Sequence, residues 1–160
     1  MIELNYKQEK IDTTNDNIVI QKYVAGLPGG VELDVTEYNK DLATLRSQFS
    51  GNEDLFKDNF VPAGTLVVKK NGSYKPAKLS YNSGSSKYGF SFGAEETPIG
   101  FTVATINATR EGAGILVDGI VNLNSHAFAN GKVFAVHDSE FTVSNQEALF
   151  KYLPKITFID

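Results

Sequence analysis

Apolar and polar positions change their period several times along this chain. Ile2, Leu4 and Tyr6 alternate with polar residues, as on one side of an extended backbone. A polar run from Asp12 to Asn17 follows, and then the strand-like Ile18, Val19 and Ile20. This opening predicts an extended arm over residues 1–23 rather than a core element. In GLPGG, residues 26–30, three glycines and a proline demand turn chemistry and forbid a helix. From Thr36 the period becomes helical: Leu42, Leu45 and Phe49 fall at i, i+3 and i+7, and Ser50-Gly51 can stop a helix. A further turn is expected at Asp54-Leu55-Phe56.

Beyond this point the pattern is β. VPAGTLVVKKNGSYKP, residues 61–76, reads as a hairpin turning at Asn71-Gly72. Strands are expected over 65–69, 74–79, 99–103 and 114–121, separated by the turn-rich YNSGSSKYG and NATREGAG segments. Near the end, Ser144-Asn145-Gln146-Glu147 has the form of a capping box, in which hydroxyl and carboxylate satisfy free amides of a first helical turn. Ala148, Leu149, Tyr152 and Leu153 supply an apolar face, Pro154 stops the helix, and 156–159 reads as a last strand. The expected fold is mainly β (α+β). It is a compact β-barrel or β-sandwich-like domain over residues 24–160, with one inserted amphipathic helix within 36–59, a short C-terminal helix and an extended N-terminal arm.

Composition narrows the function classes. A chain of 160 residues suits one domain, able to bury roughly two-thirds of its unfolded surface without a staple. It has no cysteine, hence no disulfide, thiolate nucleophile or thiolate metal site. The net charge of −4, with no basic run longer than Lys69-Lys70, argues against a nucleic-acid partner. No basic and apolar leader pattern opens the chain and no apolar run approaches a membrane span, so synthesis in a cytoplasm and no membrane partner are expected.

Candidate chemistry is sparse. There are two histidines, His126 and His137, and His137 lies beside Asp138. Neighbouring residues on a strand point to opposite faces, so this pair would not cooperate as acid and base. Ser125-His126 lacks the glycines of a nucleophile elbow. The run from Asp12 to Asn17 resembles a calcium loop, but Asn17 stands where the sharp turn needs glycine and Tyr23 where a bidentate carboxylate belongs. GLPGG has no phosphate-loop spacing, and Glu95-Glu96 would diverge in a loop. Asn71-Gly72-Ser73 and Asn107-Ala108-Thr109 match the glycosylation triplet, which matters only in a secretory pathway. No catalytic residue, metal site or cofactor is expected. Tyr88, Phe90 and Phe92 alternate on one strand face, which suits core or subunit packing and could also stack a sugar. These three, with His126 and Phe128, are the candidate inter-subunit or ligand surface. A glycan-binding module using the aromatic stripe, and a hydrolase whose acid and base come from Asp138 and Glu140 or from His137, stand as competing readings.

The order of these segments resembles the capsid decoration and head-fibre proteins of tailed bacteriophages. The carriers are VPAGTLVVKKNGSYKPAKLS, the Gly/Ser gap, TPIGFTVATI, GAGILVDGIVNLNSHAF and EALFKYLPKITFID, with VAGLPGGVELDVT upstream. The likeness runs from about Val24 to Asp160, except for 34–59, and rests on several weak motifs in order. It implies a structural virion protein, often a homotrimer, on the outer surface of an assembled head, where it bridges copies of the major capsid protein. Ile2, Leu4, Tyr6, Ile18 and Ile20 would then form a capsid-binding arm that adds a strand to an exposed edge of the shell protein.

Overall fold

The computed structural model describes residues 13, 16–49, 56–128, 134–138 (backbone only) and 149–159. The capping box at 144–147, and Ile2, Leu4 and Tyr6, lie outside these residues. A helical turn, α1 (Asp16–Val19), leads directly into β1 (Ile20–Gly26). Next come α2 (Thr36–Gln48), β2 (Phe60–Val61), β3 (Leu66–Lys70), β4 (Ser73–Pro76), β5 (Lys78–Asn82) and β6 (Lys87–Phe92). They are followed by β7 (Thr97–Thr102), β8 (Ile106–Asn107), β9 (Ile115–Val121), β10 (Phe134–Asp138) and β11 (Ile156–Phe158).

The main sheet has the order β1-β9-β7-β3-β4, with β11 also beside β9. All of its pairs are antiparallel except β11 with β9. A second sheet, β10-β6-β5, includes a parallel β10–β6 pair, and β2 pairs with β8. The mainly β expectation holds, in open sheets rather than a closed barrel. The reason lies at the two ends of the main sheet: β1 and β4 are its outer strands and do not pair with each other.

Local chemistry explains the elements. Asn71 and Gly72 both have positive φ, 51° and 78°, as the two-residue turn between β3 and β4 requires. The strand feeding that turn is not half-buried: Leu66, Val67 and Val68 are all fully buried, so β3 is covered on both faces. The expected 74–79 strand divides at Ala77 into β4 and β5, which belong to different sheets.

Helix α2 matches its predicted period, burying Tyr38, Leu42 and Leu45. At a typical ~1.5–3 kcal/mol for each fully buried apolar side chain, this face ties α2 into the main core. It ends where the Phe49 amide bonds the Leu45 carbonyl (3.0 Å). Asp41, half-buried, accepts the Leu79 amide at the start of β5 (3.1 Å), and burial raises its pKa. Beyond 50–55, Asn59 at φ 66° exchanges two hydrogen bonds with Asn39, fixing the return into β2. The helix is therefore part of the core and not an appendage. Among the described C-terminal residues, the expected helix is represented by one turn, in which the Tyr152 and Leu153 amides both bond the Leu149 carbonyl.

Candidate functional site: the outer edge of the main sheet

The two outer strands of the main sheet are treated differently. At β4, Leu33 forms a parallel bridge with Tyr74, and the Asp34 amide bonds the Tyr74 carbonyl (2.8 Å). Pro76 has no amide to offer, and Lys75 is held by Glu37 (2.5 Å) and Glu96 (2.9 Å). That edge is closed.

At β1 the outer edge carries no strand among the described residues. Tyr23 and Val24 are 59% and 53% exposed, with the Tyr23 ring lying along the strand over Gly26 and the register slipping at Val24. Ile18, just before it, is 46% exposed. Around the corner, the Ile159 amide bonds the carbonyl of Val121, the residue that also pairs with Ile20, and Ile159 is exposed. Ile18, Tyr23 and Val24 are thus the exposed apolar residues of β1 and the turn before it, while Ile159 lies across β9, on the β11 side.

The segment that presents this margin is firmly seated. Val19 is buried against Gly64, where an added Cβ would fall 2.2 Å from its side chain, and Gly64 itself has φ +80°. The Asn122 amide bonds the Val19 carbonyl (2.7 Å), and the Asp16 carboxylate accepts both the amide (2.9 Å) and the hydroxyl of Thr105. Along β1, Gly119 of β9 lies so close that a Cβ there would sit 2.2 Å from the Lys22 carbonyl oxygen. Three register irregularities interrupt the β1–β9 pairing.

Ile18 and Ile20 therefore do not belong to a free arm: Ile18 lies in α1 and Ile20 opens a strand of the main sheet. The proposed inter-subunit or ligand residues are also corrected. Tyr88, Phe90, Phe92, His126 and Phe128 are 4%, 0%, 2%, 1% and 0% exposed, because β6 is the middle strand of its sheet and packs onto the core. The fold does bring Phe90, His126 and Phe128 together, at ring separations of 5.7 Å and 5.2 Å around the imidazole. Tyr88 stacks with Phe49 (5.9 Å), and burial pushes its phenol up to about 12. None of these rings offers a face for a sugar.

His126 is structural. Its Nδ1 accepts the Phe128 amide (3.2 Å), which leaves the hydrogen on Nε2 to be donated to Thr65 Oγ1 (3.2 Å). The Thr65 hydroxyl passes its own hydrogen to the Pro62 carbonyl (2.7 Å). Burial pushes the imidazole pKa down to about 3, so the ring is neutral and its hydrogen bonds are all used within the core.

Other sequence candidates resolve into local structure. Glu95 and Glu96 diverge, Glu95 to Lys70 (3.6 Å) and Glu96 to Lys75. Asn107 is buried and its Oδ1 accepts the Thr109 amide and hydroxyl, so that triplet caps a turn. His137 and Asp138 pair in register with Ser91 and Phe92 along β10, while Glu140 lies outside the described residues. Among the described residues no group of three His, Asp or Glu side chains could hold a metal ion. The edge of β1 is the feature that sequence reading missed. Its signal is Tyr23-Val24, a β-prone pair two residues after Ile18-Val19-Ile20.

No protein-family model, curated protein or solved structure matches the chain.

Proposed function

We propose that this chain is a structural docking protein that binds the outer surface of an assembled bacteriophage head, as a homotrimer, through contacts with the major capsid protein. The reading joins the ordered motifs from Val24 to Asp160 to one structural observation. Ile18, Tyr23 and Val24 are exposed along β1 and the turn before it, at the margin of a sheet whose opposite edge is closed. Apolar side chains scattered singly on a surface need no explanation, whereas several at one sheet margin suit contact with another protein. The seating of that margin by Val19, Asp16 and Gly119 gives it a preformed shape, which lowers the entropy cost of docking.

Several copies around one axis would bind a shell by avidity, so a modest contact per subunit suffices. Mixing the purified protein with assembled heads and sedimenting them tests the reading. Saturable recovery in the pellet is expected, and recovery no greater than that of an unrelated protein of similar charge counts against it.

A further inference from the structure

We propose that Asn71-Gly72 is a self-modification site, held unreactive by its own turn, whose conversion to isoaspartate opens the β4 edge that the fold otherwise closes. Among the described residues it is the single asparagine followed by glycine. The side-chain carbonyls of Asn59, Asn82 and Asn107 are occupied, by Asn39, by the Gly84 and Ser85 amides and by Thr109, whereas the Asn71 side chain is exposed. Gly72 brings no side chain to shield its nitrogen, and nothing lies within 4 Å of where one would stand. Lys70 and Ser73 are the last pair of the β3–β4 ladder, so Asn71 and Gly72 lie outside it.

The reaction needs only water and a solvent base. The Gly72 nitrogen gives up its proton and attacks Cγ of Asn71; the N–Cγ bond forms, the Cγ–Nδ2 bond breaks, and ammonia leaves with a proton. Water then opens the ring at one of its two carbonyls. Breaking the bond to Cγ leaves aspartate; breaking the bond to the main-chain carbonyl leaves isoaspartate, with the chain now running through Cβ.

The turn blocks the first step. With φ 51° and 78° at its central residues, it is the mirror-image kind whose first residue has ψ about +30°. That ψ sets the Cβ of Asn71 nearly opposite the Gly72 nitrogen about the Cα–C bond, where Cγ is out of reach. Attack therefore waits for the turn to open. Aspartate can close it again, because Asp-Gly suits the same turn. Isoaspartate adds one main-chain atom between Lys70 and Gly72, which a two-residue turn cannot hold in register. The Lys70–Ser73 pair is lost first, and with it the placement of Tyr74 against Leu33 and Asp34 and of Lys75 between Glu37 and Glu96.

Holding the full chain in mildly alkaline buffer, with and without urea below its unfolding transition, and mapping the tryptic peptide 71–78 for isoaspartate tests this; Asn130-Gly131 falls in a different peptide. Conversion in the native protein should be at least about tenfold slower than in a free peptide of residues 66–78, and urea should speed it in step with hydrogen exchange across the Lys70–Ser73 pair. Isoaspartate-bearing chains should lose exchange protection along β4. Asn71→Asp, and Asn71→Gly carried through the same incubation, should keep it, since the turn accepts both. Three results would each overturn the proposal: native protein converting as fast as the peptide; a rate, zero included, that urea leaves unchanged; or isoaspartate-bearing chains with β4 fully protected.

Discussion

Strands β3 and β1 read almost alike in sequence and live in opposite surroundings. Leu66-Val67-Val68 lies in mid-sheet and is buried on both faces; Tyr23-Val24-Ala25 lies at the outer edge, where Tyr23 and Val24 are more than half exposed. The first is held by neighbours on both sides, the second, among the described residues, by β9 alone and through an irregular register. Apolar content therefore does not tell a core strand from an edge strand. What does is whether both backbone edges are used, and that is decided by the order of strands in the sheet.

A matched pair of glycine substitutions breaks the comparison most sharply. A Cβ at Gly100 would fall 2.1 Å from the Leu116 carbonyl oxygen, in the centre of the sheet, and one at Gly119 would fall 2.2 Å from that of Lys22, under β1. Gly100→Ala should cost about 3 kcal/mol or more, read by denaturant unfolding, because neither backbone can retreat. Gly119→Ala should cost about 1–2 kcal/mol, since β1 can lift away, and hydrogen exchange should speed up at β1 alone. Equal losses in the two variants would mean that β1 is as integral as β7, the strand beside β3.

His126 sits where the two regions meet, near the Gly64 pocket that Val19 fills. In the folded protein its pKa lies near 3, below the ordinary 6.5, so the unfolded chain takes up a proton first as pH falls. Its contribution to stability is complete above about pH 6.5 and declines by about 1.4 kcal/mol per pH unit toward pH 3. His126→Phe should remove that component of the acid slope, whatever its effect at pH 7. An unchanged slope would show that the imidazole is solvated.

The smallest effect is expected at the edge. Tyr23→Ser should change stability by less than about 0.5 kcal/mol, because the ring is already mostly in water. A loss above about 1.5 kcal/mol would mean that the contact of the Tyr23 ring over Gly26 is a main support of β1.

Much of the scaffold was legible because its signals are local. Asn71-Gly72 specifies a turn by its need for positive φ, and Leu42, Leu45 and Phe49 specify a helix face by period. The candidate site was not, for two reasons. The alternation of Tyr88, Phe90 and Phe92 is the same for a buried face as for a binding platform, and only the placement of β6 in mid-sheet shows which it is. The edge at β1 is made by a long-range pairing with β9 that no short window contains, and by Val19 and Asp16 reaching across the sheet to Gly64 and Thr105. Ile20 and Phe158 are far apart in the chain, and the fold places them on opposite sides of Val121.

The central claim is that this margin docks the protein onto an assembled head, and co-sedimentation of the Ile18→Asp/Val24→Asp variant tests it most directly. Both side chains are already exposed, so the variant should unfold at the same temperature as the parent chain. The account predicts that the parent protein pellets with assembled heads and saturates, while the variant stays in the supernatant. Equal recovery of the two in the pellet, or of neither, would contradict it.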